Sequence, residues 1–304
     1  MARTTFEELL DAGAHFGHLR RKWNPNMAPY IFMERNGIHI IDLYKTIAKI
    51  DEAAAAMKQI SKSGKKILFV ATKKQAKALV SELVKPVNMP YVTERWPGGM
   101  LTNFATIRKA VKKMTSLDKL MTSPSFTNIS KRERLQITRE RAKLEKNLGS
   151  IADLSKLPAA IFVVDIMKEH IAVAEARKLN IPTFAIVDTN SDPNLVDFPI
   201  PANDDASKSI ALVVKKVVEA IEEGLSDRKL DREKRAGEED HEEFDETGAR
   251  IHIEDIDDEE TAAQKEIARK KRLAEGEETS EDRAKRPRKV VARKPGTGGA
   301  RKTR

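Results

Sequence analysis

The chain has 304 residues, of which 40% are hydrophobic and 34% charged, and its formal net charge is +9. It contains no cysteine, which excludes disulfides, thiolate zinc sites and thiol nucleophiles. The longest apolar run, residues 158–164, is far shorter than the roughly 20 residues that cross a bilayer. These features predict a cytoplasmic protein with a polyanionic partner such as RNA and with no membrane partner.

The positive charge is concentrated in the first part of the chain. Residues 1–224 hold 35 Lys and Arg against 25 Asp and Glu, whereas residues 225–304 hold 21 against 22. Within the second part, residues 238–260 contain 13 acidic residues and one arginine. Apolar residues are sparse there, so little surface can be buried to offset the entropy of ordering the chain. We expect residues 225–304 to be a low-complexity charged tail, disordered or transiently helical.

The N-terminal part predicts a helix, a hairpin and a second helix. Residues 6–14 have the apolar spacing of a short amphipathic helix. The dipeptide Asn36-Gly37 separates two apolar segments and is a strong signal for a two-residue hairpin turn. Asp42 is then expected to cap a long helix that continues to Lys62.

Three short apolar runs predict the strands of one sheet. They are rich in Val, Ile and Phe without polar alternation, which is typical of strands buried on both faces of a parallel sheet. The runs are residues 67–70, 160–164 and 183–187. Helical patterns lie between and after them, over residues 73–85, 170–179 and 204–224. This alternation predicts an α/β fold with a doubly wound parallel sheet.

Residues 103–148 interrupt the alternation with two charged helical patterns. Apolar residues recur every three to four positions from Phe104 to Met121, and Ser130 is expected to cap a second helix. The apolar stripe is narrow, which favours a projecting antiparallel coiled-coil hairpin over two ordinary helices on the sheet. The predicted parts are an α/β domain of 1–102 and 149–224, the hairpin of 103–148 and the tail of 225–304.

No motif of a known enzyme class is visible. The chain lacks the glycine-rich phosphate loops and the nucleophile elbow that common α/β enzymes use. The loop after the first predicted strand carries Lys73-Lys74, and the loops after the other two carry Asp165 and Asp188. One basic loop and two acidic loops do not form a nucleotide-binding site. We expect no enzymatic activity and no small-molecule substrate. Two alternatives are an enzyme that acts on a phosphorylated substrate through these loops and a protein-interaction scaffold.

A group of histidines and aspartates is a candidate for a divalent metal site. His15 and His18 lie three residues apart, and the sheet topology can bring aspartates near them. Imidazole together with carboxylates can hold zinc or another divalent ion. The alternative is that these aspartates cap helices and turns and that the protein has no cofactor. The metal candidates are His18, Asp188, Asp204 and Asp205.

Two segments combine cations, a tryptophan and turn residues. The first is residues 19–26 and the second is residues 94–103. Cations hold phosphates, indole rings stack on bases, and a Gly-Gly turn lets backbone amides approach a phosphate. The alternative for both tryptophans is packing in the core. The predicted RNA-binding residues are Arg20, Arg21, Lys22, Trp23, Asn24, Lys73, Lys74, Arg95, Trp96, Gly98, Gly99, Asn103, Arg108, Lys112 and Lys113.

Several long motifs follow one another between residues 5 and 224. They are AGAHFGH at 12–18, WNP at 23–25, RNGIHIIDL at 35–43, FVATK at 69–73, RWPGGMLTN at 95–103, the segment 158–182 and IVDTNSDP at 186–193. In sequence and in order they resemble the bacterial small-subunit (30S) ribosomal protein S-two family. Family members commonly end soon after the last predicted helix, so residues 225–304 inherit no role from the resemblance.

The resemblance implies a flavodoxin-like sheet with an inserted coiled-coil hairpin and no catalysis. It also implies a structural constituent of the small ribosomal subunit that contacts rRNA between head and body and joins late in assembly. The hairpin side is expected to help recruit the large ribosomal protein S-one. Neighbouring small-subunit proteins are the other expected partners, and translation on cytoplasmic ribosomes is the expected process.

Overall fold

The computed structural model describes residues 3–242, with the side chains of residues 3–234 apart from those of Ser125 and Thr127. Met1–Arg235 form one compact unit. Ala236–Arg304 form a second unit, of which only the helical backbone up to Glu242 is described. The prediction of a disordered tail therefore lies, from residue 243 onward, outside the described residues.

A small antiparallel sheet is formed by the N-terminal segment. Helix α1 (Phe6–Asp11) precedes strands β1 (Phe16–Leu19), β2 (Ile31–Arg35) and β3 (Ile38–Ile41), which pair in the order β1-β3-β2. Asn36 and Gly37 have φ angles of 53° and 75°. Both central residues of a type I′ turn need a positive φ, and this turn matches the twist of the strands on either side. The predicted hairpin is confirmed, whereas β1 was not predicted.

A five-stranded parallel sheet lies at the centre of the first unit. Its strands are β4 (Ile67–Val70), β5 (Tyr91–Val92), β6 (Ala160–Val164), β7 (Thr183–Val187) and β8 (Phe198–Pro201). They lie in the order β5-β4-β6-β7-β8, and every neighbouring pair is parallel. Counted along the chain, this is the order 2-1-3-4-5 of flavodoxin-like sheets. The predicted α/β class with a parallel sheet is confirmed.

Helices cover both faces of this sheet, which explains why its strands are almost entirely apolar. The helices are α2 (Leu43–Lys62), α3 (Lys74–Val84), α4 (Phe104–Thr122), α5 (Lys131–Leu148), α6 (His170–Lys178) and α7 (Ser207–Glu242). One face packs against α2, α3 and α7, and the other against α6 and the adjoining ends of α4 and α5. Within residues 3–242 we find no helix long and apolar enough to cross a membrane.

Helix α7 differs from its predicted range at both ends. It begins at Ser207, after Asn203 Oδ1 accepts hydrogen bonds from the backbone N–H groups of residues 205 and 206. It continues to Glu242 instead of ending near Gly224. Beyond the apolar stripe, ion pairs with α2 hold it in place: Lys58 Nζ lies 3.1 Å from Asp227 Oδ2. Charge pairs thus continue the contact between α7 and α2 beyond the apolar stripe, as far as Asp231.

Helices α4 and α5 occupy the segment of the predicted hairpin and contact each other. Ser130 Oγ accepts a hydrogen bond from the Glu133 backbone N–H at 3.3 Å, so the predicted cap of α5 is confirmed. Between the helices, Arg141 Nε lies 2.6 Å from Asp118 Oδ1. The coiled-coil geometry of this pair and the three-part division of the chain stay predictions.

Candidate RNA interface and polar cluster

A cluster of charged side chains lies at the carboxyl edge of the parallel sheet. Lys73 follows β4, and its Nζ lies 2.8 Å from Asp204 Oδ1 and 2.7 Å from Asp205 Oδ1. The same ammonium is 3.3 Å from Oδ2 of Asp165, which follows β6. Because the carboxyl ends of parallel strands meet at one edge, residues far apart in sequence converge here. Lys73, predicted to contact RNA, thus already has three carboxylate neighbours.

His18 joins this polar cluster from β1. Its Nδ1 lies 3.0 Å from Asp188 Oδ2, and its backbone N–H donates to Thr189 Oγ1 at 2.8 Å. The contact with Asp188 raises the pKa of His18, although partial burial of the ring opposes this shift. One potential ligand atom each from His18, Asp188 and Asp204 lies within 4.8 Å of the others. The structure therefore brings three of the four metal candidates together within this distance. The fourth, Asp205, is adjacent: its Oδ2 lies 3.6 Å from His18 Nε2, and its Oδ1 faces Lys73.

The crevice between β4 and β6 is filled by the protein's own side chains. Strand order reverses there, and α/β sheets commonly bind ligands at that point. The carboxylate of Glu169, whose side chain is buried, accepts hydrogen bonds from the backbone N–H of Thr72 at 3.1 Å and from the Thr72 hydroxyl. Burial raises the pKa of Glu169, and the two bonds from Thr72 oppose that shift. A phosphate in this crevice would meet a carboxylate, so it offers no nucleotide cradle.

The loop that contains Trp96 is anchored by Glu175 of α6. The Trp96 indole is 7% exposed and donates through Nε1 to Glu175 Oε1 at 3.1 Å. The same carboxylate accepts backbone N–H groups of Gly99 at 2.7 Å, Leu101 at 2.9 Å and Thr102 at 3.1 Å. Burial alone would raise the pKa of Glu175, but these donors lower it. The burial and bonding of Trp96 favour packing in the core over stacking on a base.

The basic turn after β1 is exposed and fixed at both ends. Arg20–Lys22 form a single turn of 3-10 helix with three exposed cations. Trp23 is 37% exposed, and its ring centroid is 5.1 Å from that of the buried His39. The Asn24 backbone N–H donates to the Thr189 carbonyl at 2.8 Å, which ties the turn to the loop after β7. Arg20 Nη1 lies 3.5 Å from Glu34 Oε2, whereas Arg21, Lys22 and the indole surface are available together.

The other predicted RNA-binding residues differ in their exposure and in whether they already form an ion pair or a hydrogen bond. Among them the exposed positions are Lys74, Arg95, Gly98, Asn103, Lys112 and Lys113. Lys113 forms an ion pair with Glu140, and Arg108 donates to the Ser155 carbonyl. Asn103 precedes α4, but its side chain makes no capping bond to the backbone. The sequence assigned no contact to Glu175, Glu169 or Thr189, because their partners are distant along the chain.

The fold and these surfaces define a class of protein. A flavodoxin-like sheet whose crevice is filled by its own side chains, with exposed basic loops nearby, is typical of a structural protein with a polyanionic partner. A family model described as "Ribosomal protein S2" matches residues 9–224. The chain therefore belongs to this family and is a structural component of the small ribosomal subunit. The predicted family resemblance is confirmed.

Curated relatives agree with this assignment. "Small ribosomal subunit protein uS2" of Phocaeicola vulgatus is 69% identical over 232 residues, which cover 76% of this chain and 83% of the relative. The protein of the same name from Porphyromonas gingivalis is 68% identical over 232 residues, covering 76% and 83%. That of Flavobacterium johnsoniae is 69% identical over 233 residues, covering 77% and 92%. Because its relatives are structural proteins of the ribosome, the prediction that the chain is not an enzyme is confirmed.

Proposed function

We propose that the chain binds small-subunit rRNA chiefly through the exposed basic turn Arg20–Lys22 and Trp23. The observation that carries this proposal is the fixed exposure of the turn: the Arg20 backbone N–H donates to the Gly37 carbonyl at 2.9 Å, and Asn24 is held by the loop after β7. Such a preorganised turn loses little conformational entropy when it binds. Its three cations suit successive phosphates, and the half-exposed indole suits a base or ribose.

The loop of residues 95–103 is proposed to contact the same RNA through Arg95 and its backbone. Met27, close after the basic turn, and Trp96 belong to one buried cluster, so both loops attach to the same face of the parallel sheet. Gly98 is exposed, and an added Cβ there would meet no atom within 4 Å. Backbone amides at such a site can approach a phosphate closely. Glu175 would hold the loop in shape without touching RNA.

We further propose that this binding places the protein between the head and body of the small subunit, where it supports late assembly and translation on cytoplasmic ribosomes. Helices α4 and α5 would face neighbouring small-subunit proteins, including the large ribosomal protein S-one. This proposal is supported by the charged surface of α4. Among the described side chains of that helix, Ile107 and Met114 are buried, so its other side chains remain accessible to a partner. Reversing exposed charges on α5 should then lower the S-one content of purified subunits without releasing this chain.

Charge reversal of the basic turn tests the RNA interface. A triple variant with Glu at positions 20, 21 and 22 should bind small subunits depleted of this protein more weakly than the native chain. The plot of log affinity against log salt should also become shallower by about 2 to 3 units of slope, because three phosphate contacts are lost. Filter binding across a series of potassium concentrations gives both quantities.

A matched control carries the same change in net charge elsewhere. Lys156, Arg177 and Lys178 are exposed, and their replacement by Glu removes three cations outside the proposed interface. This control should weaken binding only slightly and leave the salt slope close to that of the native chain. An unchanged affinity and slope in the 20–22 variant, or equal losses in the two variants, would refute the assignment.

A further inference from the structure

A groove lined by cations lies at the amino edge of the parallel sheet. It is formed by the residue before β4, the loop before β5 and helix α7, and its volume is about 650 Å³. The cations that line it are Lys66, Arg228, Lys229 and Arg232. Glu222 is the carboxylate among its described lining residues. Positive charge is therefore in excess along this groove.

Two of these cations are not neutralised by their neighbours. The ion pairs that join α7 to α2 use the carboxylates of Glu223, Asp227 and Asp231. Within the described part of the chain, Lys229 and Arg232 are exposed and form no ion pair. A cleft lined by charges of one sign focuses its field and attracts a partner of opposite charge. The groove is thus suited to a polyanion.

Arg228 is fixed in the wall of the groove by the end of helix α2. A Cβ built on Gly64, just after that helix, would lie 2.1 Å from Arg228 Cζ, so the guanidinium lies directly against the glycine. The dipole of α2 favours a cation beside its last turn. A side chain held in this way loses little conformational entropy on binding, and its planar guanidinium matches the oxygens of a phosphate.

We propose that this groove binds the phosphate backbone of a second segment of small-subunit rRNA. The inference rests on the proposed RNA-binding function and adds a second surface to it. Lys66 precedes β4, whereas the basic turn of residues 20–22 is tied to the loop after β7, at the carboxyl edge. The two edges are separated by a strand and its flanking residues, roughly 15 to 20 Å at about 3.3 Å per residue. The groove therefore needs phosphates other than those bound by the turn.

The lining of the groove favours RNA over an acidic protein. The centres of protein interfaces are enriched in aromatic residues and depleted in lysine. The described lining contains no aromatic residue, and of its apolar members Val87 is buried and Leu225 half-buried. Little apolar surface is available to a protein partner, whereas phosphates are held by arginine and lysine alone.

Charge reversal in the groove tests the proposal on small subunits depleted of this protein. Lys229→Glu combined with Arg232→Glu changes exposed side chains and leaves the packed Arg228 in place. This variant should keep the native melting temperature and bind more weakly. Its plot of log affinity against log salt should become shallower by about 1 to 2 units of slope, because two phosphate contacts are lost. An unchanged affinity and slope would overturn the proposal.

A matched control reverses two charges at the same edge of the sheet but on its opposite face. Arg177 and Lys178 are exposed at the end of α6, and their replacement by Glu should leave the salt slope close to that of the native chain. Combining the groove variant with Glu at positions 20, 21 and 22 should add the two losses, to about 3 to 5 units of slope. A combined loss no larger than that of the 20–22 variant would mean that the groove makes no contact of its own.

Directed hydroxyl-radical cleavage identifies what occupies the groove. Because the chain has no cysteine, one introduced cysteine can carry an iron chelate. Ser226→Cys places the chelate in the groove and Asn26→Cys places it beside the basic turn, both at exposed positions. In assembled subunits the two chelates should cut different segments of rRNA.

The pattern of cuts separates failure of this inference from failure of the proposed function. RNA cleavage from position 26 alone, or cuts in one and the same segment from both positions, would overturn the second surface and leave the basic turn as the RNA interface. Cleavage from position 226 of a neighbouring protein or of the acidic residues 238–260, in place of RNA, would overturn it as well. No RNA cleavage from either position would overturn both proposals.

Discussion

The bonds around Glu175 predict a large stability effect from an isosteric change. Glu175→Gln replaces one carboxylate oxygen by an NH₂ group without creating a cavity. In either orientation this group faces at least two N–H donors, because Trp96 and Gly99 donate to Oε1 and the backbone of Leu101 and Thr102 to Oε2. Each unsatisfied donor costs about 1 to 3 kcal/mol, and the remaining bonds lose their charge assistance. After relaxation of the loop we expect a loss of about 3 kcal/mol.

Thermal and denaturant unfolding measure this effect. For a unit of this size, a loss of about 3 kcal/mol lowers the melting temperature by roughly 6 to 12 °C. Glu82→Gln is the matched control, because Glu82 is exposed on α3, and it should change stability by less than about 0.5 kcal/mol. In a Trp23→Phe background, the fluorescence of Trp96 should shift to the red when its bond to Glu175 is lost. A loss below about 1 kcal/mol with unchanged fluorescence would refute the reasoning.

The pH dependence gives an independent check on Glu175. Its pKa is lowered from the ordinary value of 4.5 because the N–H donors outweigh the effect of burial. The stabilisation by the ionised form is therefore complete above about pH 4.5 and is lost as the pH falls through the lower pKa of the folded state. The difference in the free energy of unfolding between the native chain and Glu175→Gln should accordingly become smaller at acid pH. A difference that grows below pH 4.5 would contradict this account.

Three further predictions concern two glycines and one ion pair of α7. Gly224→Ala should lower stability by about 1 to 2 kcal/mol, because its Cβ would lie 2.5 Å from the Lys58 carbonyl oxygen and better helix propensity offsets only part of that strain. Gly98→Ala, with open space at its Cβ, should leave the melting temperature nearly unchanged. Arg3→Gln should cost under about 1 kcal/mol at pH 7, since Glu223 is half exposed and solvent screens the pair. Arg3 lowers the pKa of Glu223 to about 2, so the stabilisation by the Arg3–Glu223 pair is complete above pH 4.5. This stabilisation should shrink when unfolding is measured at pH values falling towards 3.

The sequence by itself determined the elements whose signals are local. The strands β4, β6 and β7 lie where continuous apolar runs predict them, because such runs have no polar face to expose. The hairpin at Asn36-Gly37 and the cap of α2 by Asp42, which accepts the Tyr44 backbone N–H at 3.0 Å, depend on residues within a few positions of each other. The family also follows from the sequence, since its motifs are long and ordered.

Strands at the edges of the parallel sheet were decided by the tertiary structure. Strand β8 contains Pro199 and Pro201, which argue against a strand in local terms. As the edge strand it pairs only with β7, so prolines without an N–H lose no bonds on the free side. Strand β5 has two residues and no sequence signal of its own, and it forms because β4 offers an open edge.

The functional roles of the polar side chains were decided in the same way. The sequence marks Trp96 and Lys73 as candidates for RNA. In the structure Trp96 is buried and donates to Glu175, and three carboxylates surround Lys73. His18 and Asp204 lie close together although most of the domain separates them along the chain. Local patterns report what a side chain can do, whereas burial and partners depend on contacts between distant segments. Only the folded chain brings those contacts together, and they alone decide which charges remain free to bind.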